Sequence, residues 1–177
     1  MLKPGSDISG PLRGVVPGVG SGAMERARIV AWSAEMRRVH QRLADALVIA
    51  RESIEAGDPA LPSLDPLTYC WAFCAALDGH HEGEDTTLFP RLIEQQPELA
   101  EVVGHLSRDH RMIGHLLGEF RHSMGAGGSP EELLRHLDGI EAVLTTHFRY
   151  EEKRLLDALD TLDLGDVSPD RVFGPLA

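Results

Sequence analysis

Cysteine is nearly absent from this sequence: the 177 residues hold only Cys70 and Cys74. They sit at i, i+4, one face of a helix, and two such residues do not make the disulfide framework of a small secreted domain. The plainer reading is a pair of small core residues rather than a redox or ligand pair. Basic residues are also few, 17 Lys and Arg against 28 Asp and Glu, for a formal charge of −11. That balance excludes nucleic acid as a partner, because little is left to neutralise phosphates, and it disfavours an anionic membrane surface. No apolar run approaches a membrane span, and the first residues lack the apolar centre of a signal peptide. A cytoplasmic location is therefore expected. Aromatic residues make up only 5% of the chain.

What the chain has instead is helical periodicity and nine histidines. Residues 1 to about 22, rich in Gly and Pro, read as a flexible leader. Four amphipathic stretches follow, with no convincing strand. The first, from about Ala23 to Ala56, carries Val30, Ser33, Met36, His40, Leu43, Leu47 and Ile54 on one stripe and is stopped by Gly57-Asp58-Pro59. The second begins near Leu64 or Asp65 and carries Cys70, Phe73, Leu77, His80, Glu84 and Leu88. Pro90 lacks a backbone donor, so a kink or frayed end is expected there.

The third stretch starts around Pro97 and carries Val103, Leu106, His110, Ile113, Leu117, Phe120 and Met124. The fourth opens on Ser129-Pro130-Glu131-Glu132, a capping serine, a first-turn proline and a glutamate at the capping-box position. It runs through Leu133, Leu137, Ile140, Leu144, His147, Glu151, Leu155 and Leu159 to about Leu162. Residues 164–177 are expected to be an irregular tail that packs loosely or not at all. The fold class is all-α, and long helices with short loops predict an up-down-up-down antiparallel four-helix bundle over residues 23–163.

The second and fourth stretches repeat one another. His80 to Leu88 and His147 to Leu155 both read H-x-x-x-E-(D/E)-x-x-L, and the stretch before each carries one histidine on its apolar stripe, His40 and His110. The repeat selects His80 over its neighbour His81, which lies about 100° round the helix. Four imidazoles and two carboxylates brought into an apolar core are costly unless they share a partner. Two cations would satisfy all six, so the expected ligands are His40, His80, Glu84, His110, His147 and Glu151. Two histidines per metal, two bridging carboxylates and a solvent-derived oxo or hydroxo bridge leave one position open on each octahedral ion. This donor set suits iron, manganese or zinc and disfavours soft metals. Structural zinc, which prefers a closed four-coordinate shell, is also disfavoured.

These residues resemble the hemerythrin-like, or HHE cation-binding, domains. The resemblance covers about residues 28 to 160, and H-x-x-x-E-D-x-x-L-F-P from His80 to Pro90 is its most specific part. It implies a four-helix bundle around a non-haem centre of two iron ions. His40, His80, His110 and His147 are then terminal ligands, with Glu84 and Glu151 as bridges. Oxygen-carrying members have a further histidine on the third helix, four residues from its partner. Here those positions are Leu106 and Gly114, while His105 and His115 fall off the ligand face. Reversible oxygen transport is weakened as the function. Binding of, or reaction with, oxygen, nitric oxide or peroxide is expected. The alternatives are an enzyme of oxidative or nitrosative stress defence, including iron donation for iron–sulfur repair, and a zinc-bound helical bundle. Glu82, Asp85 and Glu152 are candidates for holding imidazole N–H groups, although solvent exposure is the plainer reading for each. Tyr150, Trp32, Trp71 and Phe148 read as packing residues.

Overall fold

The computed structural model describes the backbone of residues 21–56 and 67–177, with side chains in the first helix from Trp32 onward. The leader through residue 20, the Gly57-Asp58-Pro59 stop and the start of the second stretch lie outside the described residues. Among the described residues there is no strand. No helix there is long and apolar enough to cross a membrane.

Four long helices carry the chain: α1 (Ser21–Ala56), α2 (Thr68–Gly83), α4 (Ala100–Gly125) and α5 (Pro130–Leu159). Between α2 and α4 lie a π-helical turn (Glu84–Leu88), the short α3 (Phe89–Gln95) and a 3₁₀ turn (Pro97–Leu99). Each long helix packs on two others: α1 on α2 and α5, and α4 on α5 and α2. From Met36 onward the expected stripes are the buried faces. From Val103 to Met124 on α4 and from Leu133 to Leu159 on α5, every apolar stripe residue is buried, and His110, His147 and Glu151 are buried with them. Ser129 caps α5, its Oγ accepting from the Glu132 N–H at 3.2 Å, with Pro130 in the first turn.

Two expectations need correcting. Of the kink or frayed end expected at Pro90, the frayed end is not found. An α-helix here would lose the Pro90 donor and press its ring on the Thr86 carbonyl. The chain instead widens by one residue, and the Phe89 N–H donates to the Glu84 carbonyl five residues back. Such π-turns insert a residue without ending a helix and are frequent at functional sites; this one lets Leu88 and Phe89 both reach the core. Residues 164–177 are not loose either. They form α6 (Pro169–Phe173), which packs on α2, α1 and the π-turn. Val172 and Phe173 are fully buried.

Candidate metal centre

The six residues picked out by the repeat come from α1, α2, the π-turn, α4 and α5, and all six are buried in one place. His40, His80, Glu84 and Glu151 form one group whose ligand atoms lie within 4.8 Å of one another. His110 and His147 belong to a second group, which they share with His81. Sequence reasoning set His81 aside, yet the structure buries it to 6% exposure and stacks it on His110, with ring centroids 4.1 Å apart. A signal for it existed. On a helix wheel Glu84 falls about 40° from His80 and about 60° from His81, so a face centred on Glu84 includes both. Asp85, by contrast, is not in either group.

The carboxylates lie between the groups. Glu84 turns Oε1 to His80 Nε2 at 3.4 Å and Oε2 to His110 Nε2 at 3.5 Å. Glu151 Oε2 is 3.3 Å from His40 Nε2 and 3.7 Å from His147 Nε2. Both glutamates are fully buried.

Outer partners turn the Nε2 atoms inward. His40 Nδ1 is 2.9 Å from Glu152 Oε1, and His110 Nδ1 is 3.1 Å from Asp85 Oδ2. His147 Nδ1 faces Asp109 Oδ2 at 3.6 Å, and His80 Nδ1–H donates to the Phe173 carbonyl at 3.2 Å. For His40 and His80 an acceptor on Nδ1 fixes the tautomer that leaves Nε2 free to ligate, whereas Nδ1 of His110 and of His147 faces its carboxylate without a formed hydrogen bond. Glu152 thus does hold an imidazole and Asp85 faces one, Glu82 is exposed, and Asp109 and Phe173 are partners that sequence reasoning missed. His105 and His115 are exposed, as their spacing implies.

The inward atoms have no hydrogen-bond partner. Nε2 of His40, His80, His81, His110 and His147 and both oxygens of Glu84 and Glu151 are buried and unsatisfied. Buried polar groups are otherwise almost always paired, and leaving one unpaired costs about 1–3 kcal/mol, more for a charged group. A cation answers this arrangement, because it takes lone pairs from imidazole and carboxylate together.

Electrostatics without a cation shows the same strain. Burial, with repulsion from Glu151, pushes the Glu84 carboxyl well above its usual range. Burial also opposes ionisation of Glu151, but its hydrogen bond to His40 and the nearby His147 and His80 outweigh that and hold it down at about 2. His40 is raised despite burial, through Glu151 and Glu152. His80 is lowered to about 3 by burial and by the charges of His40 and His110, and His81 falls well below its ordinary value for like reasons. Without a cation the core therefore pulls its groups apart, favouring charge on the His40 and Glu151 pair and opposing it on His80, His81 and Glu84.

No curated protein and no solved structure matches the chain. A family model does: the hemerythrin HHE cation-binding domain matches residues 33–159, a span that contains every group of the centre except the Phe173 carbonyl, and the chain belongs to that family.

Proposed function

We propose that this chain is a non-haem di-iron protein, an up-down-up-down antiparallel four-helix bundle whose carboxylate-bridged centre binds a small ligand: oxygen, nitric oxide or peroxide. The observation that carries it is the set of buried, unpartnered Nε2 and carboxylate atoms, which falls into two groups spanned by Glu84. Iron bound there supplies one-electron redox steps and coordination positions exchangeable with small ligands.

The residues divide the work unevenly. His81, His110 and His147 offer three imidazoles to one cation position, while His40 and His80 offer two to the other. With Glu84 and Glu151 shared, the first position is nearly filled by protein donors and the second is one donor short. The small ligand belongs on the His40/His80 side. On that side a cavity of about 300 Å³ opens between α1 and α5, lined by His40, Leu47, Leu144, Phe148 and Glu152 among others. Phe148 stacks on His40 with centroids 4.0 Å apart. Glu152 at the rim holds His40 Nδ1.

Metal analysis of protein from its native host, combined with absorption spectra against oxygen, nitric oxide and peroxide, tests the reading. Two irons per chain and a spectral change on ligand addition are expected. About one zinc and no iron would overturn it. A stable adduct marks a carrier or sensor, and sustained turnover marks an enzyme.

A further inference from the structure

Three of the inward-facing histidines turn Nδ1 towards a carboxylate within the region that the family model matches: His40 to Glu152, His110 to Asp85 and His147 to Asp109. His80 does not. Its Nδ1 partner is the backbone carbonyl of Phe173, beyond residue 159 where the match ends. A carbonyl only accepts, so His80 must carry its proton on Nδ1 and present Nε2 as a lone pair.

The approach that makes this bond needs glycine on both sides. Gly174 sits at φ 78°, and a Cβ on it would lie 2.6 Å from His80 N and 2.7 Å from Gly79 C. A Cβ on Gly83 would lie 2.7 Å from the Val172 carbonyl oxygen, and one on Gly79 would lie 2.9 Å from Pro175 Cδ. Gly79 and Gly83 are one turn apart on α2 and flank His80, so they form the bed on which the C-terminal backbone lies. Phe173 and Val172 are fully buried there, Trp32 lies 6.1 Å from the Phe173 ring, and Arg42 bonds the Leu176 carbonyl.

We propose that residues 169–177 form a strap that is a working part of the metal centre: the Phe173 carbonyl positions His80 so that its Nε2 can take the cation, and the glycines at 79, 83 and 174 exist to seat it. The proposal rests on the metal-centre reading above. Phe173 and Gly174 act through His80 and are positioning residues. Because the bond serves one histidine, the strap acts on the His40/His80 position and leaves the His81/His110/His147 position alone.

The test uses the full chain, freed of metal by chelation and reloaded with Co(II). In wild type two ions are expected, and the proton NMR spectrum should show a hyperfine-shifted His80 Nδ1–H that exchanges slowly with water, because its acceptor is buried. Gly174→Ala should weaken one of the two ions by about 10–100-fold, the usual cost of losing an outer partner, spare the other, and turn that N–H into a fast exchanger. Leu164→Ala, which opens a small cavity at the base of the same segment, should lower the melting temperature while both ions bind as before. Equal weakening of both ions in step with melting temperature, or wild-type affinity in Gly174→Ala, would overturn the strap while the metal-centre reading stands. Should Gly174→Ala fail to fold, a rapidly exchanging His80 Nδ1–H in the wild-type protein overturns it alone. Wild type that takes up no Co(II) overturns both.

Discussion

His81 stacks on His110 with ring centroids 4.1 Å apart and planes 14° apart, and the matching position of the repeat, Phe148, stacks on His40 at 4.0 Å and 10°. The two halves of the repeat thus use the same packing device, a ring laid against the stripe histidine of the other half: His81 of α2 on His110 of α4, and Phe148 of α5 on His40 of α1. In one half that ring is a hydrocarbon, and in the other it has a nitrogen aimed into the centre.

The natural probe is His81→Phe, which copies the Phe148 half and keeps a flat ring on His110. The fold should survive, and the ion at the His81/His110/His147 position should weaken by more than the about 10–100-fold cost of an outer-partner loss. Titration of cation-free protein with Fe(II) or Co(II) measures this. Unchanged affinity for both ions would remove His81 from the ligand set and return the site to four histidines.

Outer carboxylates give a graded series. Asp85 stays below the usual carboxylate range: burial alone would raise it, but its bonds to His110 and Ser107 prevail. Asp85→Asn retains the shape and loses the charge that steadies His110. An affinity loss of about 10–100-fold at one ion is expected, with little change in folding. Glu82→Gln, on an exposed neighbour, is the control and should bind both ions normally.

Much of this was legible in the sequence. The stripes gave the buried faces of α4 and α5 residue by residue, because a 3.6-residue period leaves one face to bury. The H-x-x-x-E repeat picked out six residues that the fold buries in one place, since an internal match identifies positions that periodicity alone treats as core. What stayed hidden had physical causes. His81 was lost because the repeat fixes a register but not the width of a helix face, and Phe148 disguised its counterpart. The π-turn was hidden because Pro90 reads locally as a stop, and only tertiary packing repays a widened turn. The strap was hidden because its function lies in a backbone carbonyl and in glycines, whose meaning appears only when two segments meet.

Acid should unfold the cation-free protein through His80. Its pKa in the fold is pushed down to about 3 by burial and neighbouring imidazoles, against 6.5 when exposed. Between those values the unfolded chain binds more protons, so the stabilisation is complete above about 6.5 and is lost as pH falls toward 3. One such site contributes a slope of about 1.4 kcal/mol per pH unit. Glu84 works in the opposite sense, its neutral form favouring the fold until pH rises through its raised pKa. Urea unfolding of cation-free wild type and His80→Gln from pH 7 to pH 5 isolates the His80 share. The wild type should lose stability more steeply on acidification, and parallel profiles would contradict the assignment.

The two thiols can report on the centre without touching it. Cys70 is fully buried and Cys74 is 1% exposed, and burial pushes the Cys74 thiol up to about 12. Arg121 pulls it down, but Asp78 offsets that. Because the thiolate is the reactive form, neither cysteine should react with an aromatic disulfide reagent at pH 8 while the fold is closed. Labelling must wait for an opening that frees α2 from α1, where Cys70 Sγ meets the Ala50 carbonyl at 3.7 Å. Cations bound through His40 on α1 and His80 on α2 tie those helices together and favour the closed form by mass action. Labelling of cation-free protein should therefore be slow, and loading should slow it further, by about the factor 1 + [M]/Kd that linkage predicts for one site when opening is fast and reversible. A rate indifferent to cation would mean that the ions do not bridge α1 and α2, and a rate raised by cation would mean that binding strains the core rather than completing it.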